Sequence, residues 1–283
     1  MEIRELGRAD AKALGEVVFK AFQALAVKQS EPSAFPSPES ALLWASVWFQ
    51  RKGCRAVGAF HGPRLICGMA MDARLPVVGM GPIVMDPDVA EPFAVFSVYR
   101  RILELYRESK PVGARGTVVQ SNPSAMMLHR MMGMVDREPF TIFRGQVKDS
   151  PPAGLRVRPM TSADLAACNS LGERCYGFSR EPDVREATLF RAGLVVEQEG
   201  QLVGYTTGLG ARGHSVALGN DGLKALILAS PASPDTLLHV PDANAELGAW
   251  CRAQGLQVAQ RSKVTSLDAY QEPSGPYLPS LYF

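Results

Sequence analysis

The sequence predicts an α/β chain of the α+β mixed-sheet kind, in which two tandem copies of one unit each hold a central mixed β-sheet flanked by helices. Three observations predict it. The stretch Lys148-Asp149-Ser150-Pro151-Pro152-Ala153-Gly154 has linker chemistry and lies near the middle of 283 residues, a length that suits two cores better than one. Both sides of it open alike. Ile3-Arg4-Glu5-Leu6-Gly7-Arg8-Ala9-Asp10 and Val157-Arg158-Pro159-Met160-Thr161-Ser162-Ala163-Asp164 each read as a short strand, a turn and a helix start. Both sides also share a late helix that starts at Asn and stops at Gly. Gly133 follows Asn122 by 11 residues, as Gly255 follows Asn244, and an Arg stands three residues before each Gly. Asn caps helix starts and Gly suits the position just past a helix end. The expected domains are 1–148 and 155–283.

In the first copy, Leu14, Val17, Val18, Ala21, Phe22 and Leu25 fall at helical spacing, which makes one buried stripe. The region Phe35 to Phe49 follows, aromatic and weakly periodic. Arg55 to Phe60 and Leu65 to Asp72 form a hairpin about His61-Gly62-Pro63-Arg64, with a glycine for the tight turn. Val77 to Asp86 is a strand, Pro87 to Pro92 a loop, and Phe93 to Glu108 a helix whose stripe is Val95, Val98, Tyr99, Ile102, Leu105 and Tyr106. Phe140 to Val147 is strand-like. In the second copy, Thr161 and Asp164 have capping-box spacing, and Leu194 to Gln198 pairs with Leu202 to Leu209 about Glu199-Gly200-Gln201. Gly219-Asn220-Asp221-Gly222 precedes a short helix, Leu223 to Ala229.

Hydrophobic residues make up 46% and charged residues 20%, as in globular proteins. A net charge of +2, with no basic run interleaved with aromatics, argues against nucleic acid or an anionic membrane as partner. The apolar stretches are too short for a membrane span. Five cysteines without a C-x-x-C pair point to free thiols in a reducing compartment. The start lacks the features of a signal peptide, so the expected location is cytoplasmic. His61, His129, His214 and His239 have no metal-ligand spacing, so no metal is expected. No nucleophile elbow, P-loop or dinucleotide fingerprint is present.

Strand, helix, hairpin, strand, helix, strand, Asn-capped helix, strand: this order resembles the GCN5-related N-acetyltransferase fold over nearly the whole chain, in two copies. The best-matching residues are Gly62 to Ala70, Gly81-Pro82-Ile83-Val84-Met85-Asp86-Pro87 and Asn122 to Met134. In that fold the fourth strand splays from the fifth. Acyl-CoA lies in the gap, its pantetheine bonded like an added strand, and its pyrophosphate rests on N–H groups at the next helix start, where the helix dipole favours an anion.

The resemblance implies an N-acyltransferase that uses acyl-CoA, acetyl-CoA foremost, on a small-molecule or peptide amine; a homodimer stays open. The implied pantetheine contacts are the backbone of Ile83, Val84 and Met85. Val89, Ala90, Glu91 and Phe93, with Asn122 and Ser124, would complete the cofactor site. Where the family often has a tyrosine that protonates the leaving thiolate, this chain has His129 in one copy and Cys251 in the other. The family's loop is basic and glycine-rich, but Asp86-Pro87-Asp88-Val89-Ala90-Glu91-Pro92 has no glycine, no cation and three carboxylates. The first copy is favoured as the CoA site because its strand, loop and helix are complete.

For the chemistry, His129 is the candidate acid, since an unperturbed imidazole titrates near ~6.5. Asp72 and Asp86 are candidate bases at strand ends. Phe35, Trp44 and Trp48 are candidate acceptor contacts. The competing reading is a catalytically degenerate tandem chain that binds a ligand or serves in assembly.

Overall fold

The computed structural model describes residues 1–29, 33–231 and 237–281. It is a mixed α/β chain with sheets flanked by helices. Its contacts define two compact units, Met1–Ala114 and Arg115–Phe283.

Unit 1 runs β1 (Glu2–Glu5), α1 (Ala11–Gln29), α2 (Pro38–Trp48), β2 (Cys54–His61), β3 (Arg64–Asp72), β4 (Val77–Met85) and α3 (Pro92–Glu108). The strands β1, β2, β3 and β4 are antiparallel neighbours in that order. Leu14, Val17 and Val18 of α1 are buried as the periodicity predicts, while Ala21, Phe22 and Leu25 are half-buried. Gly15 marks a close helix crossing: a Cβ there would lie 2.9 Å from the Leu42 Cα. The aromatic region becomes α2, started by Ser37, whose hydroxyl accepts from the Ser40 N–H at 3.3 Å. Pro38 opens its first turn, where a missing N–H costs nothing. The buried stripe of α3 is Ala94, Val98, Tyr99, Ile102, Leu105 and Tyr106.

Strand β4 is bulged. Met69 faces Ile83 and Met71 faces Met80, so Gly81 and Pro82 together oppose Ala70. Gly81 takes φ +120°, a conformation open to glycine and rare for other residues, and the Gly81–Pro82 peptide is cis.

Unit 2 runs β5 (Gly113–Val119), α4 (Pro123–Met131), β6 (Val135–Arg144), β7 (Leu155–Pro159), α5 (Leu165–Tyr176), α6 (Glu181–Leu189), β8 (Leu194–Gln198), β9 (Gln201–Thr206), β10 (Ser215–Ala217), α7 (Asn220–Ala229), β11 (Leu237–Pro241), α8 (Ala245–Ala253), β12 (Gln257–Asp268) and β13 (Tyr277–Leu278). The β8–β9 turn places Glu199 at φ +51° and Gly200 at φ +77°, the pair of positive values that a two-residue hairpin turn requires. Strand β9 stops at Thr206 rather than reaching Leu209: Thr206 Oγ1 turns back to bond the Gly208 backbone, and Gly208 and Gly210 take positive φ.

In unit 2 the strands run β5–β12–β6–β11 and β13–β10–β9–β8–β7. The first series is an exchange. β12, late in the chain, sits between β5 and β6, and β6 sits between β12 and β11, both of its pairings antiparallel. Phe140 and Ile142 of β6 pack with Cys168, Leu171, Tyr176 and Val195, whereas Phe143 packs with Leu223, Leu238 and Leu247. The alternation of a strand sends neighbours to opposite faces, so one strand serves two cores. The linker Lys148 to Gly154 has no regular secondary structure and is mostly exposed. Asp149 ties it to α8 by accepting from Trp250 Nε1 at 3.0 Å.

Candidate active site

In unit 1, β4 runs straight into the turn at Asp86. Asp86 is buried, 2% exposed. Its Oδ2 accepts from Arg64 Nη2 at 2.7 Å, Lys20 Nζ stands 3.6 Å away, and Oδ1 accepts the Asp88 N–H at 3.1 Å. Burial pushes this carboxyl up, but Arg64, the Asp88 N–H and Lys20 outweigh it and hold Asp86 below its ordinary value. Such a carboxylate is a fixed anion that shapes the turn, and it is a poor proton acceptor. Lys20 Nζ also lies 3.1 Å from Asp88, and His61 Nε2 lies 3.8 Å from Glu91. The cations missing from the loop's sequence are therefore brought to it by α1 and β3. Lys20 and Arg64 were not legible as site residues, because their segments meet Asp86 only in the fold.

The other implied cofactor contacts of unit 1 line up along this segment. Ile83, Val84 and Met85 pair with Met69, Gly68 and Cys67 of β3. Val89 closes the turn, its N–H donating to the Asp86 carbonyl at 3.1 Å. Ala90 is exposed, Glu91 is the residue just before α3, and Phe93 in its first turn is 71% exposed.

Asp72 is also engaged. Both its oxygens accept from Arg74, with Nε at 2.9 Å and Nη2 at 2.7 Å, and it is 5% exposed. The guanidinium thus engages both carboxylate oxygens in a bidentate pair. Phe22, Phe35, Trp44 and Trp48 form a ring ladder with centroid separations of 5.0, 5.8 and 5.4 Å. Trp48 is 1% exposed and its indole N–H donates to the Arg55 carbonyl at 3.1 Å. Trp48 is thus a core residue rather than an acceptor contact, Phe35 is buried, and Trp44 keeps partial exposure.

In unit 2, Asn122 caps α4, its Oδ1 accepting from the Ala125 N–H at 3.1 Å, and Ser124 is exposed in the first turn. Asn122→Ala is expected to lower stability by about 1 kcal/mol in urea denaturation. His129 lies on α4 with Nδ1 2.9 Å from Thr265 Oγ1. The Thr265 hydroxyl donates to the Gly116 carbonyl at 3.3 Å. Its oxygen therefore accepts from His129 Nδ1–H, which leaves a lone pair on Nε2. Burial pushes the imidazole down to about 4, against a smaller opposing pull from Asp136. At neutral pH such a ring carries no extra proton.

One group that the sequence reading missed is Glu138 on β6. Its Oε1 accepts from Tyr270 Oη, and its Oε2 is shielded from solvent with no hydrogen-bond partner among the described residues. Tyr270 lies between two guanidinium groups, Arg115 Cζ at 4.1 Å and Arg137 Cζ at 4.6 Å from the ring centre. Arg115 Nη1 donates to the Ala269 carbonyl at 3.0 Å, and Arg137 Nε to Ser266 Oγ at 2.8 Å. Burial pushes the Glu138 carboxyl up, and Glu272 adds to this against its own backbone N–H, Arg115 and Arg137. Asp10, Asp86, Asp136 and Asp164 move down instead. Among the described residues no group of three or more His, Cys, Asp or Glu is placed to hold a metal, and no helix is long and apolar enough to cross a membrane.

Known structures share this architecture. The chain is similar to a putative acetyltransferase from Pyrococcus horikoshii, with TM-score 0.78 and 15% identity over 99% of this chain and 94% of that one. It is similar to a tandem GNAT protein from the clavulanic acid biosynthesis pathway, with TM-score 0.60 and 14% identity over 97% and 99%. A GCN5-related N-acetyltransferase from Sphaerobacter thermophilus gives TM-score 0.62 and 14% identity over 96% of each chain. No protein-family model matches the sequence, and no curated protein matches it. At these identities the likeness shows the fold: this chain has the GCN5-related N-acetyltransferase fold in tandem form.

Proposed function

We propose that the chain is an acyl-CoA-dependent N-acyltransferase, with acetyl-CoA as the first co-substrate to try and a small-molecule or peptide amine as acceptor. The proposed copies keep the limits 1–148 and 155–283, and the first takes the acyl-CoA. The observation that carries this reading is the bulged β4, which leads into a turn served by Lys20 and Arg64 and then into the start of α3. A bulge breaks the ladder and re-aims backbone groups. A helix start and two cations suit a diphosphate.

In the proposed reaction the amine nitrogen bonds to the acyl carbon as the C–S bond breaks. Solvent takes the ammonium proton first, and the nitrogen's second proton passes through water to the departing thiolate.

Calorimetry with acetyl-CoA, followed by a thiol-release assay over an amine panel, tests the proposal. Binding with turnover of at least one amine is expected. Binding without turnover of any amine would leave a ligand-binding chain, and no binding would end the acyl-CoA reading.

A further inference from the structure

The end of the chain is built into the second copy as a strand. In that copy β10 follows the β8–β9 hairpin and precedes α7, as β4 follows the β2–β3 hairpin and precedes α3. β11 precedes the Asn-capped α8, as β5 precedes the Asn-capped α4. By chain order, β10 and β11 are the second copy's fourth and fifth strands.

Strand β13 lies along β10. Val216 faces Tyr277 and Ser215 faces Leu278, antiparallel, and the Ala217 N–H donates to the Pro276 carbonyl at 3.0 Å. On the other side, His239 of β11 has Nδ1 3.2 Å from the Pro279 carbonyl. The segment is anchored beyond both ends: the Ser274 N–H donates to the Cys175 carbonyl at 2.8 Å, and the Leu281 N–H to the Ala211 carbonyl at 3.0 Å. Tyr277, Leu278 and Ser280 are buried. Tyr277 packs with Cys175, Tyr176 and Phe140, whereas Leu278 packs with Leu223, Leu238 and Leu247, so the segment is pinned in two separate cores.

Glu246, largely exposed on α8, stands near the start of α7. Glu246 accepts from Asn220 Nδ2 at 2.7 Å and from Lys224 Nζ at 2.9 Å. Lys224 and Asn220 hold this carboxylate below its ordinary value.

We propose that residues 276–280 act as an internal occupant of the second copy's strand gap, so that this copy is sealed and the chain takes one acyl-CoA. The ligand's class rests on the function proposed above; the seal rests on the pairing of β13 with β10. An extended arm that bonds along a strand edge needs that edge free. Here the chain's own backbone uses it, at no cost in rotational and translational freedom per binding event.

Amide hydrogen exchange on the full chain tests the seal without any ligand. The amides of Ser215–Ala217 and Tyr277–Leu278 are expected to exchange as slowly as those of β8, within about tenfold; a segment that opens like a flap would exchange at least about 100-fold faster than β8 and overturn the proposal. In the double variant Tyr277→Gly, Leu278→Gly, exchange at Ser215–Ala217 should speed up at least about 100-fold relative to β8. Unchanged exchange there would mean that β13 does not cover that edge. Native mass spectrometry with saturating acetyl-CoA adds the count. One CoA per chain is expected and two would overturn the seal. None would end the acyl-CoA reading of the first copy, and the exchange measurements would still decide the seal.

Discussion

Acid should unfold the chain early, through its buried histidines. His239 and His129 are both pushed down to about 4 by burial, and burial, with Arg180 adding to it, sends His214 well below 6.5. A histidine held neutral in the folded chain binds its proton more readily when unfolded. Its contribution is complete above pH 6.5 and is lost as pH falls from there towards 4. For His239, 2% exposed, the loss by pH 4 is about 3 kcal/mol at 1.36 kcal/mol per unit. The other two act in the same direction. Asp164 does not share this window: held at about 2 by Arg158 against burial, it gives up its stabilisation only below about 4, while Glu138, pushed up by burial, acts in the opposite direction to the histidines. Denaturant titrations at pH 7.5, 6 and 5 should show falling stability, and His239→Gln should flatten the slope. A stability unchanged between pH 7.5 and 5 would contradict the burial assigned to these rings.

What could be read from the sequence was local. Gly200 at a hairpin tip, Asn122 and Asn244 at helix starts, and the spacing from Leu14 to Val18 all report short-range backbone chemistry, and each stands where it was expected. Pairing partners were not legible. β12 alternates like any strand, and nothing in its residues says that it lies between β5 and β6. The surroundings of the candidate residues were hidden for the same reason. His129 and Asp86 were visible as residue types, but their proton affinities depend on burial and, for Asp86, on Arg64 and Lys20, which lie far away in sequence. Glu138 sits in no motif, and its distinction is a burial that only the packed sheet creates.

The exchange of β6 and β12 sets a timetable for synthesis. β6 is complete at Arg144, but the strand that separates it from β5 ends at Asp268. At ~5–20 residues per second a ribosome needs on the order of 10 s to span that interval. Throughout it, Phe140, Ile142 and Phe143 of the nascent chain lack the neighbours that cover them in the finished protein. The first half therefore leaves the ribosome unfinished and is completed by the second, which makes the order of translation part of how this duplication can be inherited.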